Sequence, residues 1–498
     1  MRRVTGEPSW PTGPILTGRL LRASRVHDPA HQFANAKAFA ATFPGGYWCR
    51  AAGESQISRW ETGVQQAPLA AVRRYEQLLN LHPGQLTGPL QALGRYRSSG
   101  RGSRPALPGG PAADPEAVRG RLGDLLDLID CDGDLVGSDW DELTTLLAHD
   151  PVWTIAPRRL WQRTAERLVT EMIISDGLAW QQRFEALNRL MHHRDGQHAA
   201  IAACADLAAD PANRVMIEVV SMFDATAAPE AATQVLRQLH RPTNDGALYG
   251  ALLACIRKIQ HRHFTGDQSL RLSEAVRALA RDTGGPADIR ALGARVLDRL
   301  SGSRPVPIAP RMSTQLDRRV AGAIGGTSDE VFCAMVAEMF NSPFPDVRLY
   351  SAMYLAASPF REPIARETLA ATMASVTTDP ATSVAGLEAL QVIGGAAERT
   401  RVERLLLAPG IPAAVTANIA RTLAHIGGRS GTPFWRAAVH THAGREDVLV
   451  PLVYALGITG EDDVLRAVRT DVALRHDARQ AAAWWLGLPR QARTRARA

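Results

Sequence analysis

Apolar residues recur at helical spacing through most of the chain, and Gly, Pro or Asp breaks the pattern every twelve to twenty residues. No segment alternates apolar and polar residues as a half-buried strand does, so the chain predicts as all-α. The first helices are short and amphipathic: GRLLRASR (Gly18 to Arg25), NAKAFAATF (Asn35 to Phe43), ESQISRWETG (Glu54 to Gly63) and PLAAVRRYEQLLN (Pro68 to Asn80). Ahead of them, Pro8, Pro11 and Pro14 with Gly6 and Gly13 make residues 1–15 an extended arm. Residues 88–113 hold few large apolar side chains and many Gly, Ser and Pro, with Arg95, Arg97, Arg101 and Arg104 among them. They read as a flexible basic linker. It separates an N-terminal domain over 16–87 from a helical body beginning at 114, and predicts that the two fold independently.

Within the body one segment type recurs: an Asp or Pro start, a helix dense in Ala and Leu, and a stop at Gly or Pro. Examples begin at Pro345, Asp379, Ile411, Glu446 and Leu474, at spacings of 34, 32, 35 and 28 residues, and each interval leaves room for one further helix. A two-helix unit at such spacing resembles HEAT-type repeats and implies an α-solenoid. The resemblance is clearest over 305–498, and residues 114–304 read as irregular helical repeats.

Composition and charge narrow the function. No run of eighteen apolar residues and no signal-peptide pattern occurs, which points away from membranes and toward a cytoplasmic protein. Cys49, Cys131, Cys204, Cys255 and Cys333 are odd in number and form no CxxC pair, and read as small buried hydrophobes. Only Lys37 and Lys258 are lysines. Arginine dominance with abundant Ala and Gly suggests a high-G+C genome, so arginine content alone argues little. Position says more. Residues 1–113 hold fourteen Lys/Arg against five Asp/Glu, net +9, whereas the remaining 43 and 45 leave the rest at −2. A basic terminal domain on a near-neutral body is the electrostatic footprint of a nucleic-acid binder.

The string Ser55-Gln56-Ile57-Ser58-Arg59-Trp60-Glu61-Thr62-Gly63 carries the sharpest chemistry. Ile57 and Trp60 lie three apart on one helix face and anchor it to a core. Ser55, Gln56 and Arg59 project from the other face, where Gln pairs with adenine and Arg with guanine in the major groove, and Ser58 can bond phosphate. Glu61, acidic in a basic element, reads as the partner of Arg22 or Arg25 on the first helix. Gly63 ends the helix as a left-handed cap.

Together with Phe39 and Ala40 on the second helix and YEQLLNLHPGQL from Tyr75, this string resembles the XRE-type helix-turn-helix family, the fold class of the phage lambda repressor. The resemblance spans about seventy residues of 498. It implies a bacterial transcriptional regulator binding double-stranded DNA through the third helix, with Lys37 and Arg50 as further contacts. Two features depart from the family. Ala36 stands where a phosphate-contacting Gln is common, and the connection from Phe43 to Gly53 exceeds the usual three- or four-residue turn. In that connection Tyr47, Trp48 and Arg50 either contact phosphate or, for Trp48, pack on the domain.

Other signals are weaker. Asp130, Asp132, Asp134 and Asp141 sketch a calcium loop, but Leu135 stands where the turn needs Gly and Asp141 where it needs a bidentate Glu. Ser138 with Asp141 reads instead as a helix capping box. No phosphate-binding Gly-rich loop, nucleophile elbow or HExxH is present, so no enzyme, metal or cofactor is expected. The expectation is an all-α protein with an N-terminal helix-turn-helix domain and a HEAT-like α-solenoid. The domain binds DNA; the solenoid serves homodimerisation, a protein partner or a small-molecule effector. The alternatives are a non-catalytic interaction scaffold, or a HEAT-like DNA-repair glycosylase. The net −6 over residues 114–489 speaks against the latter.

Overall fold

The computed structural model describes residues 13–28, 33, 35–48, 50–97, 115–149, 155–282, 284–302, 319 and 329–496. Residues 1–12 of the arm, 98–113 of the linker and Cys49 lie outside them. Among the described residues the protein is all-α, and its only extended pairing is an isolated bridge between Gly45 and Trp48. None of these helices is long and apolar enough to cross a membrane.

Five helices open the chain: α1 (Gly13–Val26), α2 (Ala36–Thr42), α3 (Glu54–Glu61), α4 (Leu69–Leu78) and α5 (Thr87–Arg97). The first four match the periodicity, except that α1 begins inside the expected arm. Its Leu16, Leu20 and Leu21 are buried, which gives the early turn a core face. Helix α5 corrects the linker reading for residues 88–97. Pro89 sits in its first turn, where backbone amides have no intrahelical acceptor to lose. The buried Glu76 carboxylate supplies acceptors there, taking the amides of Gly84, Leu86 and Thr87 at 3.1, 2.7 and 2.8 Å. Ala92, Leu93 and Tyr96 are buried, and two of the four arginines that made the segment look basic are engaged: Arg95 is bidentate to buried Glu185, and Arg97 meets Glu338 at 3.0 Å.

The body follows as α6 (Pro115–Asp130), α7 (Gly137–His149), α8 (Arg158–Ile173), α9 (Gly177–Leu190), α10 (Gly196–Ala209), α11 (Met216–Ser221), α12 (Pro229–His240), α13 (Asp245–Gln260), α14 (Gly266–Arg281) and α15 (Ala287–Ser301). Next come α16 (Glu330–Asn341), α17 (Pro345–Ala356), α18 (Arg361–Ser375), α19 (Pro380–Ile393), α20 (Ala396–Leu407) and α21 (Ala413–His425). Last are α22 (Thr432–Thr441), α23 (Glu446–Thr459), α24 (Asp462–Thr470), α25 (His476–Gly487) and α26 (Arg490–Ala496). From α17 onward alternate helices stack in two layers: α17, α19, α21, α23 and α25 in one, α18, α20, α22 and α24 in the other. Each recurrent segment of the sequence falls in the first layer. Two arginines from the second layer each close one carboxyl end of the first. Arg361 donates to the Ile393 carbonyl at 3.3 Å, and Arg399 to those of Ile426 and Leu423 at 2.7 and 3.1 Å.

The N-terminal helices and the body share one core. The Tyr354 hydroxyl donates to the Leu16 carbonyl at 2.9 Å, Arg73 pairs with Asp141 at 2.6 Å, and α5 packs on α1, α9 and α17. These buried polar contacts replace the independence that the linker reading predicted. The far end also returns, since α26 packs on α8 and Arg495 pairs with Asp132 and Asp134 at 3.0 and 2.9 Å. Asp141, between Arg73 and Arg189, completes no capping box. The carboxylate that serves the start of this helix is that of Asp139, which accepts the Val136 amide at 2.9 Å. Cys204 and Cys255 are buried, but Cys131 is exposed and Cys333 half-buried, so the reading of the cysteines as core residues holds only in part.

Candidate nucleic-acid interface

Helix α3 is held from one side only. Ile57 and Trp60 are fully buried; Trp60 meets Phe43 at 5.6 Å and Trp48 at 5.3 Å between ring centroids. Phe39 and Ala40 of α2 are buried beside them, and Phe39 lies 4.6 Å from the Tyr75 ring. Helix α1 crosses α3 at Gly18, where a Cβ would stand 2.3 Å from the Trp60 carbonyl oxygen, so a side chain there would force the helices apart.

Of the two arginines expected to face Glu61, it is Arg25. Nε and Nη2 reach the two carboxylate oxygens at 2.6 Å each, and the Tyr75 hydroxyl donates to the same carboxylate at 3.0 Å. All three groups are buried. The bond to Glu61 raises the Arg25 pKa against the opposing effect of burial. Burial, followed by the Glu61 charge, raises the Tyr75 phenol well above its ordinary value. Charge-assisted bidentate bonds fix orientation as well as distance, and this one locks α3 against α1 and α4. Gly63 then turns the chain away with φ +74°, a left-handed conformation that side chains resist.

The outward face carries the residues singled out from the sequence. Ser55, Ser58 and Arg59 are exposed, as is Glu54 at the start of the helix. Gln56 is half-buried, and its amide reaches the Gln65 side chain at 3.4 Å. Lys37 is exposed on α2, whose first turn is capped by Asn35 through the Lys37 amide at 2.8 Å. Arg50 is exposed in the connection just before α3. The structure thus places Ser55, Gln56, Ser58 and Arg59 on one short helix, with Lys37 and Arg50 on the two segments leading into it.

The long connection between α2 and α3 is anchored rather than loose. The Arg74 guanidinium donates to the carbonyls of Thr42 and Phe43 at 2.9 and 2.8 Å, closing the carboxyl end of α2. Trp48 folds back onto Phe43 and Trp60, so it serves packing, whereas Tyr47 stays exposed with Arg73 stacked 5.4 Å from its ring centre. Arg74 did not stand out in the sequence, and Tyr75 did so only as the first residue of the closing segment. In ArgArgTyr successive side chains point about 100° apart on a helix, so one arginine turns to the body, the next to the α2–α3 connection, and the tyrosine to Glu61. Among the described residues no group of three or more His, Cys, Asp or Glu could hold a metal ion. Comparison of the chain with models of known families and with curated proteins finds no match in either.

Proposed function

We propose that this chain is a sequence-specific double-stranded DNA-binding protein acting in transcriptional regulation, with α2 and α3 as a helix-turn-helix and α3 as the recognition helix. One observation carries the reading. The apolar face of α3 and Glu61 are buried and ion-paired, while Ser55, Ser58 and Arg59 face outward on the same eight-residue helix. A rigidly seated helix with an exposed short polar face is what insertion into a major groove requires. Arg59 then reads guanine, Gln56 adenine, and Ser55 and Ser58 the adjoining edges or phosphates. Lys37 and Arg50 flank that face and neutralise backbone charge. The two-layer stacking from Pro345 onward supports a HEAT-like solenoid as the frame that carries the domain. We assign to it homodimerisation and the binding of an effector or protein partner, since a single small module buries little surface on DNA. Such a regulator works in the cytoplasm, on the nucleoid.

Selection of bound duplexes from a random pool by the full chain tests this. Enrichment of a shared motif, bound more tightly than random duplex at one salt concentration, is the expected result. No enrichment, with salt-insensitive or absent binding, overturns the reading in favour of an interaction scaffold.

A further inference from the structure

A cavity of about 470 Å³ lies where three parts of the molecule meet: the N-terminal helices, the first half of the body and its two-layered second half. His82 and Gln85, between α4 and α5, form one wall; Asp176 to Gln181, at the start of α9, form a second. The third comes from the two-layered half, with Met353, Gln391, His425 and Tyr454. Its volume is within the range of small-molecule sites.

The polar groups in it converge. Asp176 lies 2.7 Å from Nδ1 of His425, and Nε2 of the same ring lies 3.1 Å from the Tyr454 hydroxyl. This chain fixes the imidazole between a carboxylate and a phenol. Glu218 enters from α11, and no other described residue forms a salt bridge or side-chain hydrogen bond with its carboxylate; His425 acts on it only through its charge. Trp180 also lines the cavity, half-exposed and stacked on Phe184 at 4.9 Å with an interplanar angle of 18°. Among the described residues no arginine or lysine lines the cavity, although the chain holds 57 of them against 50 Asp and Glu. Arg421, which influences the Tyr454 phenol, lines a neighbouring cavity instead.

Two carboxyl groups, Asp176 and Glu218, face the cavity with His425 beside them and His82 at its exposed rim; burial raises the Glu218 pKa, and a bound cation would favour its ionised form, while the indole face and the Leu349, Met353 and Val392 side chains make the rest apolar. We propose that this cavity binds a small organic cation, an amine or quaternary ammonium carried on an aromatic or apolar body, as the effector of the protein. The cationic head sits between Glu218 and Asp176 and the body against Trp180, combining a charge-assisted contact with a cation–π one. Because the walls belong to all three parts, an occupant changes how the segment leading into α5 is held, and through α5 the seating of α1 and α3. The effector role rests on the DNA-binding reading; the binding site does not.

The test is calorimetric titration of the full chain, without DNA, with phenethylammonium, benzyltrimethylammonium, phenylacetate and benzyl alcohol. The expected result is one saturable site for the cations, at least roughly tenfold tighter than for phenylacetate. Glu218→Gln should weaken cation binding roughly tenfold, the loss of one charge-assisted contact. Gln391→Lys, at a half-exposed position, places a competing charge in the cavity without emptying the core, and should abolish cation binding; it decides the matter should Glu218→Gln fail to fold. No saturable cation binding, equal binding of phenylacetate, or indifference of affinity to the substitutions overturns the site. Duplex affinity with and without phenethylammonium is read separately. A chain that binds the cation but no duplex retains the site and loses the regulatory role.

Discussion

Glu61 occupies a position where a buried carboxylate needs two partners at once, and it has them in Arg25 and Tyr75. Removing one member of a buried pair strands the other charge, so Glu61→Gln should destabilise the protein by about 3 to 5 kcal/mol. Replacing both, as Arg25→Met with Glu61→Leu, should restore much of the loss; thermal melting of the two variants checks this, and equal losses would place the energy elsewhere. Arg59 predicts the opposite behaviour. Its side chain is exposed and Arg59→Ala should leave melting unchanged while weakening a selected duplex roughly five- to hundredfold. Asp141 sets the acid limit. Burial alone would raise its pKa, but Arg189 and Arg73 hold it below the ordinary Asp range. A carboxylate with a depressed native pKa contributes stability above the unfolded value and loses it as pH falls through the native one. Stability should therefore decline below about pH 4, less steeply in Asp141→Asn, as melting curves across pH will show.

At the scale of elements, α5 is the member that binds the molecule together. It receives its amino-terminal cap from Glu76 on α4 and gives Arg95 to α9 and Arg97 to α16. A fragment of residues 1–90 severs this helix and exposes the apolar surface that Leu93 and Tyr96 cover, so we expect it to be aggregated or unfolded. The full chain should melt with the N-terminal helices and the body in one transition, since their cores are continuous; two separate calorimetric transitions, one reproduced by the fragment, would contradict this. The flanking elements show how far local pattern reaches. Helices α1 to α4 were legible because each repeats an apolar face, and the recurrent helices of the carboxyl half because Asp or Pro starts and Gly or Pro stops punctuate them. Helix α5 was not, because Gly88, Pro89, Gly94 and two arginines are linker residues in isolation. Glu76, Glu185 and Glu338, which make them helical and buried, lie elsewhere in the chain.

For the whole molecule, the body does more than hold a domain at a distance. Its last helix returns to α8, and Arg183 donates to the Arg495 carbonyl at 2.7 Å, so the two ends of the body are tied to each other. If α3 reads DNA as proposed, its seating on such a frame gives it a defined orientation, and a dimer of the frame would present two such helices at one spacing. On the proposed function, full-length protein should bind a duplex with two half-sites far more tightly than one with a single half-site, because the second contact becomes intramolecular. Titration of both duplexes at one salt concentration measures the gap, and equal affinities would remove the dimerising role from the body.

The sequence by itself determined the helical class, the boundaries of α2 to α4 within a few residues, the burial of Ile57 and Trp60, and the pairing of Glu61 with the first helix. Those properties depend on periodicity and on charges carried by neighbouring helices, which a linear pattern records. Tertiary structure alone decided that Arg25 rather than Arg22 meets Glu61, that Arg74 closes α2, that α5 is core, and that His425, Asp176, Glu218 and Tyr454 surround one cavity. Asp176 and Tyr454 are 278 positions apart, and no local preference encodes their meeting. It follows from how the layers stack, since in a packed interior a side chain's partner is set by the shape of the whole core.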